Sequence, residues 1–273
     1  MMTSPARYLE LSGANWSACL LSSYAYLRQS WQTQWLGLAK VVQDCASFLQ
    51  LTGTPGDSQT TLLLDLALTV ARQIEAEKGC GIDTLEPYYH NRLHFADSLT
   101  AITLQCSLEI KQGAAPDSTW QAALLLIAVA HDFHHTGRVN RHTSDIESAS
   151  VETLLPLMTS AQLSEVWIER IRTVILRSDF SLVGENHARV AGRRFQWDTD
   201  WATVLLNEAD VMASASADFG PALSQALSKE WEAVKFAPYA TVATESGRRQ
   251  FLASIQFSSH SAQTLSAGIL APY

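Results

Sequence analysis

Paired cysteines, long apolar runs, flexible linkers and blocks of like charge are all missing from this chain. Its four cysteines (Cys19, Cys45, Cys80 and Cys106) lie far apart with no Cys-x-x-Cys pair, so they read as buried apolar residues and not as a disulfide framework. The unbroken apolar run from Ala122 to Ala130 has nine residues, too few to cross a bilayer, which excludes a membrane span there. The first thirty residues carry no basic stretch leading into an apolar one, so no signal peptide is expected and the cytoplasm is the simplest home. No Pro/Gly/Ser-rich linker interrupts the 273 residues, and one domain over 1–273 is expected. The net charge of −8 carries no basic block, so neither nucleic acid nor a membrane is an expected partner. Oligomeric state is left open.

What is present is helical periodicity. The stretch from Tyr8 to Leu51 reads as two helices broken near Ser30, and the Thr52–Asp57 stretch as a loop. Leu62, Leu63, Leu66, Val70 and Ile74 share one face of a helix that Asp57 or Ser58 caps and that ends at the glycines after Lys78. Further helices are predicted over 92–110, 119–132, 144–158, 164–177, 199–213, 218–234 and 244–255, with a short one closing the chain. The segment 180–197, polar and rich in arginine, is the least regular. No strand pattern and no repeat is seen, so the fold class is all-α.

Six of the eight histidines fall between residues 90 and 142. His90 and His94 are four apart, on one face of a helix, with Asp97 three further on nearly the same face. His131 and Asp132 close the apolar run, so a metal-capable pair is carried into a dry interior, where an unpaired carboxylate is very costly. Asp210 sits in an otherwise apolar, small-residue segment. Imidazole with carboxylate suits Zn, Mn, Fe or Co, whereas Mg prefers oxygen ligands. His134, His142, His187 and His260 read as loop or surface residues.

The run from Tyr89 to Asp97 is similar to the Y-H-N-x-x-H-A-x-D motif of the class I cyclic-nucleotide phosphodiesterases, within the HD-domain metal phosphohydrolases. His131 to Asn140 fits that family's H-D-x-x-H-x-G-x-x-N at each fixed position; 177–180 resembles its T-D-M step and 209–211 its A-D-L. The likeness spans about 88–210 and implies a compact helical bundle of bacterial type.

The resemblance implies that His94, His131, Asp132 and Asp210 hold a first metal, Zn or Mn/Fe. It implies that Asp132 also bridges to a second, Mg or Mn. The substrate it implies is a 3′,5′-cyclic nucleotide, cAMP or cGMP or both, opened to the 5′-monophosphate by a metal-bridging hydroxide. His90 would protonate the departing 3′ oxygen, and His135 and Glu147 would orient metal-bound waters. Ser144-x-x-Glu147 is also a capping box, a helix start with no catalytic content, and both readings stand. Asp97 and Asp179 either orient histidines or pair locally. Tyr89 is expected at the substrate.

The family holds its purine with a glutamine followed three residues on by phenylalanine. Here Gln250 and Gln256 both compete, with Phe251 and Phe257 as the aromatic partners, or Phe251-Leu252 takes the place of the family's Phe-Ile pair. Ser150 stands where a histidine is usual. A hydrolase acting on another nucleotide or phosphate ester is the alternative.

Overall fold

Apolar continuity through the middle of the chain dictates the layout of the computed structural model, which describes residue 9 and residues 15–52, 58–78 and 86–270. Among these residues there is no strand. The helices are α1 (Trp16–Thr33), α2 (Leu38–Phe48), α3 (Ser58–Lys78), α4 (Arg92–Lys111), α5 (Ser118–Ala130), α6 (Asp145–Ser160) and α7 (Glu165–Leu176). A 3-10 turn (Phe180–Leu182) then leads to α8 (Val183–Val190), α9 (Thr199–Ala215), α10 (Gly220–Ala233), α11 (Tyr239–Val242), α12 (Glu245–Ser254) and α13 (His260–Ser266).

Two helices form the centre. Asp117 caps α5, its carboxylate accepting from the Thr119 and Trp120 amides, and each residue from Trp120 to Ala130 is buried. Asn91 caps α4 in the same way, through the Leu93 and His94 amides, and His94 to Cys106 are all buried. A helix with no polar stripe needs neighbours on every side. Accordingly α5 packs against α3, α4, α7 and α9, and α4 against α1, α2, α9 and α13. Leu124, Leu125 and Ile127 are fully buried, and truncating one such side chain to Ala costs about 2–5 kcal/mol. The apolar cluster built on them takes in residues from Leu9 to Ile269.

Four local readings are corrected. The break between the first two helices falls at 34–37, not near Ser30, because Gly37 takes φ +86° and Glu75 accepts from both Trp35 Nε1 and the Leu38 amide. Ser144 is not the side-chain cap of a capping box: its φ is +58°, its hydroxyl donates to the Leu176 carbonyl, and Asn140 Oδ1 takes the Ile146 amide instead. The irregular arginine-rich stretch contains α8, and α11 was not visible in the pattern. His187 is buried, not at the surface, whereas His134, His142 and His260 are exposed. Cys19, Cys45 and Cys106 are free and buried; Cys80, most of the Thr52–Asp57 loop and the glycines after Lys78 lie outside the described residues. No described helix is long and apolar enough to cross a membrane.

Candidate metal centre

His94 stands in the first turn of α4, His131 and Asp132 follow the last residue of α5, and Asp210 lies on α9. Because α4 packs against both α5 and α9, these four side chains meet. His94 Nε2 is 2.9 Å from Asp210 Oδ1 and 3.4 Å from Asp132 Oδ2; His131 Nε2 is 3.3 Å from Asp132 Oδ2 and 3.4 Å from Asp210 Oδ1. One ligand atom from each lies within 4.8 Å of the others. A tetrahedral ion with bonds of about 2.0–2.1 Å needs ligand–ligand edges of about 3.3–3.4 Å, and a six-coordinate one about 2.8–3.0 Å. The observed spacings fall across that range.

The hydrogen bonding fits the same conclusion. His94 Nε2, His131 Nε2 and Asp210 Oδ1 are buried atoms with no hydrogen-bond partner, which native interiors rarely tolerate. His131 Nδ1 pairs with the Ala128 carbonyl at 3.0 Å; an N–H donated there leaves the Nε2 lone pair facing the cluster. A cation among these atoms would satisfy all of them. Without one, protons take its place. Burial pushes His94 down, but the carboxylates of Asp132 and Asp210 beside its Nε2 outweigh it and hold the ring up at about 9. His131 is raised for the same reasons, and both aspartates are depressed against their own burial by the two histidines. Asp210 alone of the four keeps a partly exposed side chain, at 30 %, so the cluster opens to solvent on that side.

His90, His135 and Glu230 also bring ligand-type atoms within 4.8 Å of one another. They are poorly arranged for a metal. The two imidazoles stack, with centroids 3.8 Å apart and planes at 28°, so their lone pairs run side by side instead of meeting. His90 Nδ1 is 2.5 Å from Glu230 Oε1, while Glu230 Oε2 accepts from the Tyr89 and His90 amides at 2.8 and 3.1 Å. His135 Nδ1 accepts from the Gly137 amide at 3.0 Å, which places its proton on Nε2. Burial, with His90 adding, pushes His135 down to about 3, so it is neutral near pH 7. The Glu230 carboxyl is lowered: burial raises it, but the bond and charge of His90 and the two amides outweigh that. Gly137 sits at φ +76°, where a Cβ would come within 2.9 Å of Glu230 Cγ.

Glu147 is buried at the start of α6, and both its oxygens accept from Asn140 Nδ2, at 3.2 and 2.9 Å. The same nitrogen reaches Asp179 Oδ2 at 3.1 Å. Burial, with Asp179 and Asp132 adding, pushes the Glu147 carboxyl up to about 7. Asp179 also takes the Ser144 and Ser181 amides, so it ties the loop before α6 to the end of α7. Asp97 turns away from the cluster to a two-bond ion pair with Arg28 of α1, at 2.8 and 2.9 Å. Ser150 donates to the Phe133 carbonyl, bracing the ligand loop.

Tyr89 is half-buried, its hydroxyl 2.8 Å from Ser214 Oγ, and its ring lies 5.0 Å from that of His94. Gln250 on α12 and Gln256 beyond it are both exposed, and among the described residues no hydrogen bond joins either to the cluster. Phe251 is half-buried on α12, and Phe257 packs against the core. Two participants were missed in the sequence: Glu230, for which no local pattern exists, and Asn140, a fixed position of the second motif to which no role was given. Comparison with protein-family models and with curated proteins finds no match.

Proposed function

We propose that this protein is a metal-dependent phosphodiesterase that opens a 3′,5′-cyclic nucleotide, cAMP or cGMP or both, to the 5′-monophosphate. One observation carries the reading: a four-residue His/Asp cluster of ligand spacing lies beside a histidine whose far nitrogen is held by a carboxylate, the His90 and His94 rings being 5.5 Å apart. Two divalent cations, Zn or Mn/Fe among His94, His131, Asp132 and Asp210 and Mg or Mn beside Asp132, would supply an acidified water and a clamp on the phosphoryl oxygens.

The chain's own residues do the rest. As the water oxygen bonds to phosphorus and the bond to O3′ breaks, the leaving oxygen takes a proton from His90 Nε2. Glu230, on Nδ1, fixes the orientation of the ring. Neutral His135, stacked on His90, offers an Nε2–H without adding a second positive charge. Asn140 and Asp179 hold Glu147 where it can accept a proton from a water.

Charge supports a diester over a polyphosphate. Arg28, Arg92, Arg141 and Arg177 each answer to a carboxylate: Asp97, Glu75 with Glu86, Asp145 and Asp200. The charged groups acting on Asp132 and Asp210 are histidines. A singly charged ester meets such a site with less repulsion than a triphosphate.

The exposure of both Gln250 and Gln256 favours a second reading, in which the same hydrolase takes another nucleotide or phosphate ester. The test is a panel of cAMP, cGMP, nucleoside mono- and triphosphates and bis-p-nitrophenyl phosphate with Zn/Mg- and Mn-loaded protein. Turnover of a cyclic mononucleotide to its 5′-monophosphate supports the first reading. Turnover of the other esters alone supports the second, and turnover of none refutes both.

A further inference from the structure

Of the four clustered ligands, Asp210 is the one carried by neither α4 nor the end of α5. Its Oδ1 has no hydrogen-bond partner and meets only the two imidazole nitrogens. The place of this carboxylate is therefore decided by the backbone of α9. What fixes α9 lies on its other side. Glu208, two residues earlier and roughly 200° around the helix, is fully buried. Its Oε1 accepts from the Ser258 and Ser259 amides at 2.5 and 2.9 Å, and its Oε2 from Ser259 Oγ at 2.5 Å and from Gln105 Nε2 of α4 at 3.3 Å.

The same serine turn is gripped from α4. Glu109 Oε1 accepts the Ser261 amide at 2.9 Å, and Ser259 Oγ lies 3.0 Å from Ser261 Oγ while capping α13 through the Ala262 amide. Two buried carboxylates, one on the helix of His94 and one on the helix of Asp210, thus hold one turn between them. On the other flank Ser258 Oγ meets His187 Nδ1 of α8 at 2.7 Å. Among the described residues no hydrogen bond joins this clasp to His94, His131, Asp132 or Asp210.

We infer that Glu208 is a positioning residue for the metal centre: through the Ser258–Ser261 turn it sets the spacing of α4 and α9, and so the distance between His94 and Asp210. The inference rests on the proposed metal centre and goes beyond it by assigning a remote group to ligand geometry.

The test compares full-length wild type with Glu208→Ala, Glu208→Gln and Ser259→Ala. Zinc affinity is measured by chelator competition, and the visible spectrum of the cobalt-substituted protein is recorded at a temperature where circular dichroism shows each variant folded. Glu208→Ala is expected to bind zinc about tenfold more weakly and to change the cobalt bands, the size of effect seen when supports behind ligands are removed. Glu208→Gln, which still accepts the two amides, restores most of both, and Ser259→Ala falls between. Folded Glu208→Ala with wild-type affinity and spectrum overturns the inference and leaves the metal centre standing. If Glu208→Ala does not fold, Ser259→Ala decides by the same criterion. Wild type that binds no zinc overturns both.

Discussion

Glu230 Oε1 lies 2.5 Å from His90 Nδ1 although the two residues are 140 positions apart. A histidine that donates from one nitrogen is held in its working orientation when an acceptor takes the other. Glu230→Ala is therefore expected to lower kcat by about tenfold or more, a share of the 10²–10⁴ that general acid catalysis contributes. It should also leave metal content unchanged. Turnover identical to wild type would remove Glu230 from the account.

Gly137 makes that contact possible. At φ +76° a Cβ costs about 1–2 kcal/mol in backbone strain alone. It would also press within 2.9 Å of Glu230 Cγ and 3.3 Å of Cδ, atoms pinned by three hydrogen bonds. Gly137→Ala is expected to lower the thermal midpoint and to impair turnover more than metal binding, read by calorimetry beside elemental analysis. A variant as stable and active as wild type contradicts this packing.

Asn140 separates two acids. Its Nδ2 is shared by Glu147 and Asp179, and its Oδ1 takes the Ile146 amide. Asn140→Ala leaves two buried carboxylates facing each other and an amide unpaired, a loss of about 2–4 kcal/mol by the cost of unsatisfied buried groups. Urea unfolding measures it; a shift below about 0.5 kcal/mol, the usual scatter of neutral surface changes, contradicts the network.

The pH dependence of stability separates the metal-free from the metal-loaded protein. His94 is held at about 9 in the metal-free fold against an ordinary 6.5. Its contribution is full below pH 6.5 and is lost as pH climbs through 9. Glu147 and Glu208, pushed up from 4.5 to about 7 by burial, favour the proton in the fold, so they too make stability fall, between pH 4.5 and 7. Below pH 6.5 the depressed His135 works the other way, so the net loss of stability in the metal-free protein is expected from pH 6.5 to 9. With metal bound His94 is neutral, and the decline between pH 7 and 9 should disappear. Urea midpoints from pH 5 to 9, with chelator and with zinc, give the comparison; a metal-free midpoint that rises between 6.5 and 9 contradicts it.

Legibility followed locality. The helices could be read because apolar residues recur at helical spacing, as Leu62, Leu63, Leu66, Val70 and Ile74 do, and because 122–130 is apolar without a break, while the caps at Asn91, Asp117 and Asp198 went unread. The cluster could be read because the two His-rich motifs stand in order and because His131 and Asp132 close a buried helix. His90 precedes the Asn91 cap of α4, so it does not share a helix face with His94 as the spacing predicts. Pairs made only by the fold could not: Arg28 with Asp97, 69 positions apart, and Glu230 with His90. Nor could the burial of His187 beside Ser258, since α8 buries two polar side chains, Asn186 and His187, with Val190 as the one apolar residue among them. The glutamines near the chain end matched a motif in kind but not in spacing, and their exposure gives them no contact that would tell them apart.

The central claim is that His94, His131, Asp132 and Asp210 hold a cation, and elemental analysis of wild type beside Asp210→Ala tests it most directly. About one tightly held ion per chain is expected in wild type after dialysis, and well under half of that in the variant, because one ligand in four is gone. Metal-free wild type after purification in the presence of zinc and manganese, or a variant that keeps its ion, would contradict the account.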